Sequence, residues 1–432
     1  MNYFTTDLSN LKRDIVKFCY IMSKNCRNVD SNLILDVVYG ILASQDIKLS
    51  NISRELHETI KIDNTVERIA LRLKFIQEIE IIKYNFRNYV KRMIPKENIL
   101  AIFDDSDIVK IYGKKFEDLD EVIDGSDPKK AIKPGYHICN ACLVSKNQKQ
   151  PIEVFSKIYS TKSKDFESMN TITYESIDEV VKIVGTNFTG VFDRGYDDEK
   201  IFRMLNNQRT KFVVRLTGKR NMLFKGKKKN VKEVANSRKG KYKMVLFRNG
   251  KKDQTIYVSY TRANMLDKDK EEFTLIFAYG LGQEPLMLIT NISVKNGNEA
   301  IKIVRMYIDR WKIEEVHRAE KTAYNYEDMR VRSLAQINNL NFLFMLALSF
   351  ICMQIEKMDT KLLSIEILIR SKSLKEDITV RISQFARGIT DILSYSTTGI
   401  EKFKKRKITT KLNKEIELEI QTEYEQLTIF DK

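Results

Sequence analysis

The spacing of apolar residues divides the chain into a helical beginning, a strand-rich middle and a helical end. Over residues 1–97, apolar side chains recur three and four positions apart, as at Leu73, Ile76 and Ile79. This spacing places apolar residues on one face of an α-helix. We therefore predict a helical domain over residues 1–97.

Two predicted helices inside this domain are separated by a polar turn. The first covers roughly residues 50–56, and the second starts near residue 65 and carries Arg68 and Arg72. The arrangement resembles a helix-turn-helix, whose second helix enters the major groove of DNA. Arg68 and Arg72 are thus candidate DNA contacts. Because the turn is long and contains no glycine, a plain helical hairpin is the alternative interpretation.

The middle of the chain alternates short apolar runs with turns. Between residues 98 and 218, several runs of strand length occur first, and helical patterns at 175–184 and 197–205 then separate the later strands. This order predicts an α/β sheet domain. Residues 219–290 begin with a lysine cluster and continue with four further strand patterns, which predicts a β-rich insertion with a basic edge.

Helical spacing returns after Asn296 and continues towards the end of the chain. The longest apolar run, residues 342–353, is shorter than the roughly 20 residues that a bilayer span needs, so we predict a buried core helix and no membrane partner. Residues 357–432 are helical in pattern and highly charged. They are assigned to a separate C-terminal region.

Charge indicates the kind of partner. The 432 residues contain 75 Lys and Arg against 58 Asp and Glu, a formal net charge of +17. Such a surplus favours nucleic acid, because cationic side chains release the counterions condensed on its phosphates. A lysine-rich proteome would produce the same surplus. The first residues lack the pattern of a secretion signal, and we expect a cytoplasmic, nucleoid-associated protein.

Cysteine and histidine provide little catalytic potential. Five cysteines in so long a chain fit a reducing compartment, and Cys139 and Cys142 form a CxxC without a second pair, which we interpret as structural. The three histidines, His57, His137 and His317, lie far apart in the sequence. We therefore expect carboxylates to carry any catalysis.

Two aspartates each follow an apolar strand pattern. Asp104 stands in LAIFDDSD and Asp193 in TGVFDRGYDD, so each is predicted to end a strand, and both can meet at one edge of a sheet. Adjacent carboxylates repel unless a cation neutralises them, and their hard oxygens suit Mg²⁺ or Mn²⁺. A strand-ending Asp is also a common turn former.

A later helical segment carries a polar face. At 100° per residue, Tyr307, Arg310, Glu314 and Lys321 fall within an arc of about 60°. A tyrosine, two cations and a carboxylate make a poor core stripe but a good edge for binding phosphate. A solvated face with ion pairs is the alternative.

These residues resemble the transposases of the insertion-sequence-four type. The spacing of Tyr307, Arg310, Glu314 and Lys321 is similar to that family's Tyr-Arg-Glu-Lys signature, and AIFDDSDI and VFDRGYD resemble its two aspartate blocks. Asp104 and Asp193 are about 90 residues apart, and Asp193 and Glu314 about 120. The second interval is long, and the family carries a β-rich insertion there.

The resemblance implies a fold and a chemistry. It implies a ribonuclease-H-like catalytic core over 98–218 and 291–356, the β-rich insertion over 219–290, and an N-terminal domain that binds terminal inverted repeats. Asp104, Asp193 and Glu314 would hold Mg²⁺ or Mn²⁺, two ions per active site. Catalysis would be metal-dependent cleavage and strand transfer, the cut-and-paste transposition of a bacterial insertion sequence.

The resemblance also implies partners. Double-stranded DNA would be bound as terminal repeats and as target, with a homodimer in the synaptic complex and no small-molecule cofactor. Tyr307, Arg310 and Lys321 would contact phosphates near the cleaved end, and Arg194 and Arg215, which flank predicted sheet ends, are further candidate DNA contacts.

Two other functions fit the same residues. A ribonuclease-H-like DNA nuclease without strand transfer would share the metal site. A non-catalytic DNA-binding protein derived from a transposase would keep the basic charge, but it would have no need of all three carboxylates.

Overall fold

The computed structural model describes residues 3–404, apart from 112, 114, 126, 128, 146–147, 249–250, 267–269, 359–360 and 373–380. Helices occupy both ends of this part of the chain. Their bounds are α1 Tyr3–Met22, α2 Asn28–Ser44, α3 Leu49–Glu55, α4 Ile62–Lys74, α5 Ile79–Met93, α6 Met169–Val184, α7 Glu199–Asn207, α8 Val231–Ser237, α9 Gly297–Ile308, α10 Ile313–Arg318, α11 Leu334–Glu356, α12 Leu362–Arg370 and α13 Ile382–Leu393.

Strands fill the middle of the chain. Their bounds are β1 Leu100–Val109, β2 Asp120–Ile123, β3 Ile132–Val144, β4 Ile152–Tyr159, β5 Thr189–Phe192, β6 Lys211–Arg215, β7 Asn221–Phe224, β8 Lys227–Asn230, β9 Tyr242–Arg248, β10 Lys251–Asn264, β11 Glu272–Tyr279 and β12 Leu286–Thr290. The helical beginning, the mixed α/β middle and the return to helix at Gly297 agree with the predicted pattern.

The strands form one mixed sheet in the order β2-β3-β1-β5-β6-β12-β11-β10-β7-β8, with β4 beside β3 and β9 beside β10. Strand β3 pairs antiparallel with both β1 and β4. Strands β5 and β6 run parallel to β1, and α6 and α7 form their crossover connections. The sheet therefore changes from antiparallel to parallel pairing at β1.

The β-rich segment predicted at 219–290 extends this sheet. Strand β12 pairs antiparallel with β6, and β11 and β10 follow outward. The insertion was expected beside the core, but its strands continue the sheet of the core. The lysine cluster, which had no predicted strands, contains the β7–β8 hairpin and α8. Strand β8 reads KKKN and is not buried, so apolar alternation could not reveal it.

The helices from the two ends of the described chain pack together. Helix α2 contacts α13, and α1 contacts both α12 and α13. The buried ammonium of Lys12 donates to the carbonyl of Gly399, and Lys404 forms ion pairs with Asp36 and Glu58. The N-terminal helices thus share a core with the C-terminal ones.

Helix α11 connects this helical layer to the sheet. It begins with a capping box between Ser333 and Gln336 and packs against β4, α2, α4 and α13. Among the described residues it is the one helix long and apolar enough to cross a membrane, but most of its apolar stretch is buried inside the protein. Its burial confirms the predicted core helix.

The five cysteines, all within the described residues, are free. Cys139 and Cys142 are both buried, but they pack into different apolar clusters. Two side chains directed into different clusters do not bind one metal together, which supports the structural interpretation of the CxxC.

Candidate active site

Asp104 and Asp193 follow residues that are paired in two adjacent parallel strands. Phe103 pairs with Phe192, the last residue of β5, and Asp104 and Asp193 come next. Asp104 was predicted to end its strand, but β1 continues to Val109 against β3. Only the pairing on the β5 side ends there. The two carboxylates are still brought to one place, because adjacent strands lie about 4.8 Å apart.

The segment that carries the predicted polar face is not one regular α-helix. Helix α9 is followed by a 3-10 turn at Asp309–Lys312, by α10, and by a π-helical turn at Ala319–Ala323. The prediction of a single 60° arc assumed 100° per residue throughout and was wrong in this respect. A 3-10 turn is wound more tightly and a π turn more loosely than an α-helix, so each side chain must be located from its contacts.

Arg310 is the centre of the site. Its guanidinium lies 3.3 Å from Oδ1 of Asp104 and 3.5 Å from Oε1 of Glu314. Its side chain is only 8% exposed, whereas that of Glu314 is 50% exposed. One buried cation therefore joins the carboxylate of the sheet to the carboxylate of the helix.

Tyr307 and Arg215 hold the second aspartate. The hydroxyl of Tyr307 donates to Oδ1 of Asp193 at 2.9 Å, and Arg215 at the end of β6 lies 3.7 Å from the same oxygen. Burial alone would raise the pKa of Asp193, but the backbone N–H of Arg194, the charge of Arg310 and the Tyr307 hydroxyl hold it below its usual value. Asp193 is therefore a carboxylate at neutral pH.

Lys321 lies farther along β1 than the other signature residues. Its ammonium donates to the backbone carbonyl of Asp107 at 3.0 Å and lies 3.7 Å from Glu327. Asp107 is three residues beyond Asp104, about 10 Å along the strand at roughly 3.3 Å per residue. Lys321 therefore places a positive charge about 10 Å along β1 from Asp104.

Glu315, the neighbour of Glu314, has a different partner. It accepts a hydrogen bond from Arg318 at 2.6 Å, on the exposed side of α10. Glu314 is therefore the carboxylate of this pair that faces Arg310.

The other acidic residues of the two aspartate blocks have structural partners. Asp107 contacts Nδ1 of His137 at 2.8 Å. Asp197 accepts from Thr217 and Arg220, and Asp198 caps the start of α7. Asp105 pairs in register with Cys139, on the alternate face of β1 from Asp104.

The remaining predicted DNA contacts lie in two places. Arg194 and Arg215 line a cavity of about 230 Å³ beside the site, together with Tyr307 and the exposed Trp311. Arg68 instead forms ion pairs with the fully buried Asp36 and with Glu58. Arg72, one turn further along α4, forms no ion pair among the described residues and is partly exposed.

His317 is a site residue that the sequence analysis did not select. Its Nε2 lies 3.5 Å from Oδ2 of Asp104, and its Nδ1 lies 3.1 Å from Oε2 of Glu320. Burial disfavours protonation of the ring, but the two carboxylates outweigh it and raise its pKa to about 10. The sequence signal that could have selected His317 is its position three residues after Glu314, since residues three apart share a helix face.

Among the described residues, no group of three or more His, Cys, Asp or Glu side chains is close enough together to hold a metal ion. The three predicted ligands nevertheless surround one cation, Arg310, which contacts two of them and lowers the pKa of the third. The positive charge of Arg310 therefore lies among the carboxylates of the site.

Carboxylates are ligands of divalent metal ions, and such ions serve reactions at phosphate esters in many enzymes. The chain belongs to the transposase DDE domain family, whose model matches residues 100–350. This span contains Asp104, Asp193 and Glu314. It also contains the whole insertion.

The structure is similar to that in "Cryo-EM structure of piggyBac transposase synaptic complex with hairpin DNA", with a TM-score of 0.44 and 10% sequence identity over 97% of this chain and 85% of that chain. No curated protein matches the sequence.

Proposed function

We propose that this protein is an insertion-sequence-four type transposase that binds terminal inverted repeats and moves its element by DNA cleavage and strand transfer. The observation that carries the proposal is the meeting of Asp104 and Glu314 on Arg310, beside Asp193, inside a transposase DDE domain. Carboxylates from two neighbouring strand segments and one helix have no structural need to be gathered around one arginine.

The sheet supports a ribonuclease-H-like core. An antiparallel set of β4, β3 and β1 is followed by the parallel strands β5 and β6, which are connected through helices. Asp104 and Asp193 sit where this change in pairing occurs. Glu314 reaches the same edge from the helical segment that follows the insertion.

The donor set fits divalent metal ions. Asp104, Asp193 and Glu314 offer hard carboxylate oxygens, the ligands that Mg²⁺ and Mn²⁺ prefer, and the half-exposed Glu314 can turn towards the strands. Two such ions at the site would activate the attacking oxygen and stabilise the leaving oxygen of a phosphate ester. Arg310, which now neutralises Asp104 and Glu314, would become available to a phosphate oxygen.

The side chains around the carboxylates have defined tasks in this reaction. Tyr307 and the backbone N–H of Arg194 orient Asp193. Arg310 carries a buried Nε–H that has no acceptor among the described residues, as expected of a donor that awaits a phosphate. Arg215, Arg194 and Lys321 provide positive charge on either side for the DNA backbone.

The helical layer is proposed to select the element's ends. Helix α3 and helix α4 have the order of a helix-turn-helix, and Arg72 and Lys74 are carried near the end of α4. The ends of two repeats must be held together for strand transfer, and we propose a homodimer in that complex.

The test is a reaction between the purified full-length protein, Mg²⁺ and DNA carrying the inverted repeats that flank its gene. Nicking at the repeat ends followed by joining of the free 3′-hydroxyl to a second DNA is the expected result. Nicking without joining, when a pre-cleaved end is supplied, would instead indicate a nuclease. Repeat binding without nicking in Mg²⁺ or Mn²⁺ would indicate a non-catalytic binding protein.

A further inference from the structure

The buried side chain of His317 contacts Asp104. The two oxygens of this carboxylate face different cations, with Oδ1 towards Arg310 at 3.3 Å and Oδ2 towards Nε2 of His317 at 3.5 Å. The side chains of Arg310 and His317 are both buried. The orientation of Asp104 is therefore set by two contacts rather than by one.

His317 is itself held from behind. Its Nδ1 contacts Oε2 of Glu320 at 3.1 Å, and Glu320 is 3% exposed. Each ring nitrogen faces a carboxylate oxygen, and rotation of the ring would lose both contacts. The order Asp104, His317, Glu320 thus forms a continuous polar connection from the site into the core.

A further buried carboxyl group, that of Glu153, is influenced by the charge of Glu320 at the interior end of this connection. Glu153 on β4 is buried and accepts a hydrogen bond from Asn140, the residue paired with Asp104 across β1 and β3. Burial, followed by the nearby Glu320, raises the pKa of Glu153 well above its usual value. A buried carboxyl group such as that of Glu153 is costly to maintain unless it is hydrogen-bonded. Glu153 is buried and therefore does not belong to the surface that would contact DNA.

We propose that His317 is a positioning residue which, supported by Glu320, holds the Asp104 carboxylate in the orientation that binds the metal ion. This inference rests on the proposed function and names residues outside its ligands and phosphate contacts. Partners that orient a ligand typically change metal affinity or activity about 10–100-fold when they are lost.

The test measures Mn²⁺ binding directly, by electron paramagnetic resonance of the unbound ion, with the full-length protein on an uncleavable repeat DNA. The variants are His317→Leu and His317→Gln, in which Gln keeps a hydrogen-bond donor. A double variant with His317→Leu and Glu320→Leu removes the buried charge that the single change would leave unpaired. Arg318→Gln, one residue away on the exposed face of α10, is the matched control.

We expect His317→Leu and the double variant to bind Mn²⁺ about 10–100-fold more weakly, with His317→Gln intermediate and Arg318→Gln unchanged. DNA affinity and the melting temperature of the double variant identify any general damage. Wild-type Mn²⁺ affinity in the folded double variant would overturn the inference, provided that Asp104→Asn binds weakly. If Asp104→Asn also bound Mn²⁺ like the wild type, the metal site of the proposed function would itself be wrong.

Discussion

Phe103 and Phe192 are paired in parallel register, and their rings stack with centroids 4.5 Å apart and planes 5° from parallel. Both are fully buried. The stack fixes the separation of the two strands immediately before Asp104 and Asp193. The stack therefore lies one residue before the two aspartates, inside the core.

The first prediction concerns the three carboxylates. Replacement of Asp104, Asp193 or Glu314 by the corresponding amide should reduce cleavage of repeat DNA by at least about 1,000-fold, because each loss removes several kcal/mol of transition-state stabilisation. Binding of the same DNA should persist. Single-turnover nicking assays in Mg²⁺ measure the effect.

Glu315→Gln is the matched control for this series. Glu315 bonds to Arg318 rather than Arg310, so its amide variant should nick within about threefold of the wild-type rate, a difference below about 1 kcal/mol. An inactive Glu315→Gln beside an active Glu314→Gln would show that the signature has been aligned in the wrong register.

The second prediction separates Tyr307 from the ligands. Tyr307→Phe removes the hydrogen bond to Asp193 while keeping the buried ring. A hydrogen bond to a charged group contributes about 1.5–3 kcal/mol, so nicking should fall roughly 10–100-fold. Higher Mn²⁺ should recover part of this loss if Tyr307 orients a metal ligand. A defect in DNA affinity alone, independent of Mn²⁺, would favour a phosphate contact instead.

The third prediction distinguishes two arginines of α4. Arg68→Ala leaves the buried Asp36 with Lys404 as its cation partner among the described residues, and should lower the free energy of unfolding by about 1–3 kcal/mol. Arg72→Ala should leave stability unchanged but weaken DNA binding and reduce the salt slope of log K by about 1. Urea unfolding and salt-dependent binding titrations measure the two effects. Equal stability of both variants would contradict the assignment of Arg68 to the core.

The fourth prediction is a pH dependence at the contact between the two ends of the chain. Burial would raise the pKa of Glu58, but Lys404 and Thr65 donate to it and, with Arg68, they lower it from 4.5 to about 2. A carboxyl with a lowered folded-state pKa stabilises the fold above its unfolded pKa and loses this effect as the pH falls towards 2. Glu58→Gln should therefore be less stable than wild type at pH 7, by about 2–3 kcal/mol after allowance for solvent screening of this partly exposed ion pair, with the difference closing between pH 4.5 and 2. A constant difference in urea unfolding across that range would count against the ion pair.

The three carboxylates could be proposed from the sequence because each lies in a local pattern: an aspartate after an apolar strand, or a glutamate at fixed spacing from a tyrosine and an arginine. Contacts between residues that are far apart in the sequence could not be predicted from such local patterns. Arg68 was assigned to DNA, but its partner Asp36 is 32 residues away, and no spacing rule connects them. His317 was set aside because the three histidines lie far apart in the sequence. No spacing rule connects it to Asp104, which lies more than 200 residues before it.

The broken helix is a second case of this limit. Helical periodicity predicted the shared face of Tyr307, Arg310 and Glu314, and the structure brings all three to the two aspartates. It did not predict the 3-10 and π turns, since these depend on how the segment packs against α13 and contacts β1. The position of Lys321 beside the Asp107 carbonyl follows from that packing.

The pairing of β12 with β6 has a consequence for how such a chain can change over time. If the β-rich segment were excised between these strands, β6 would become an uncovered sheet edge, which invites pairing with other chains and aggregation. Shortening is tolerable only from the far side, where the lysine-rich β8 already forms a charged border that discourages such pairing. Relatives with smaller insertions should therefore keep the equivalents of β11 and β12 and lose the outer hairpin first.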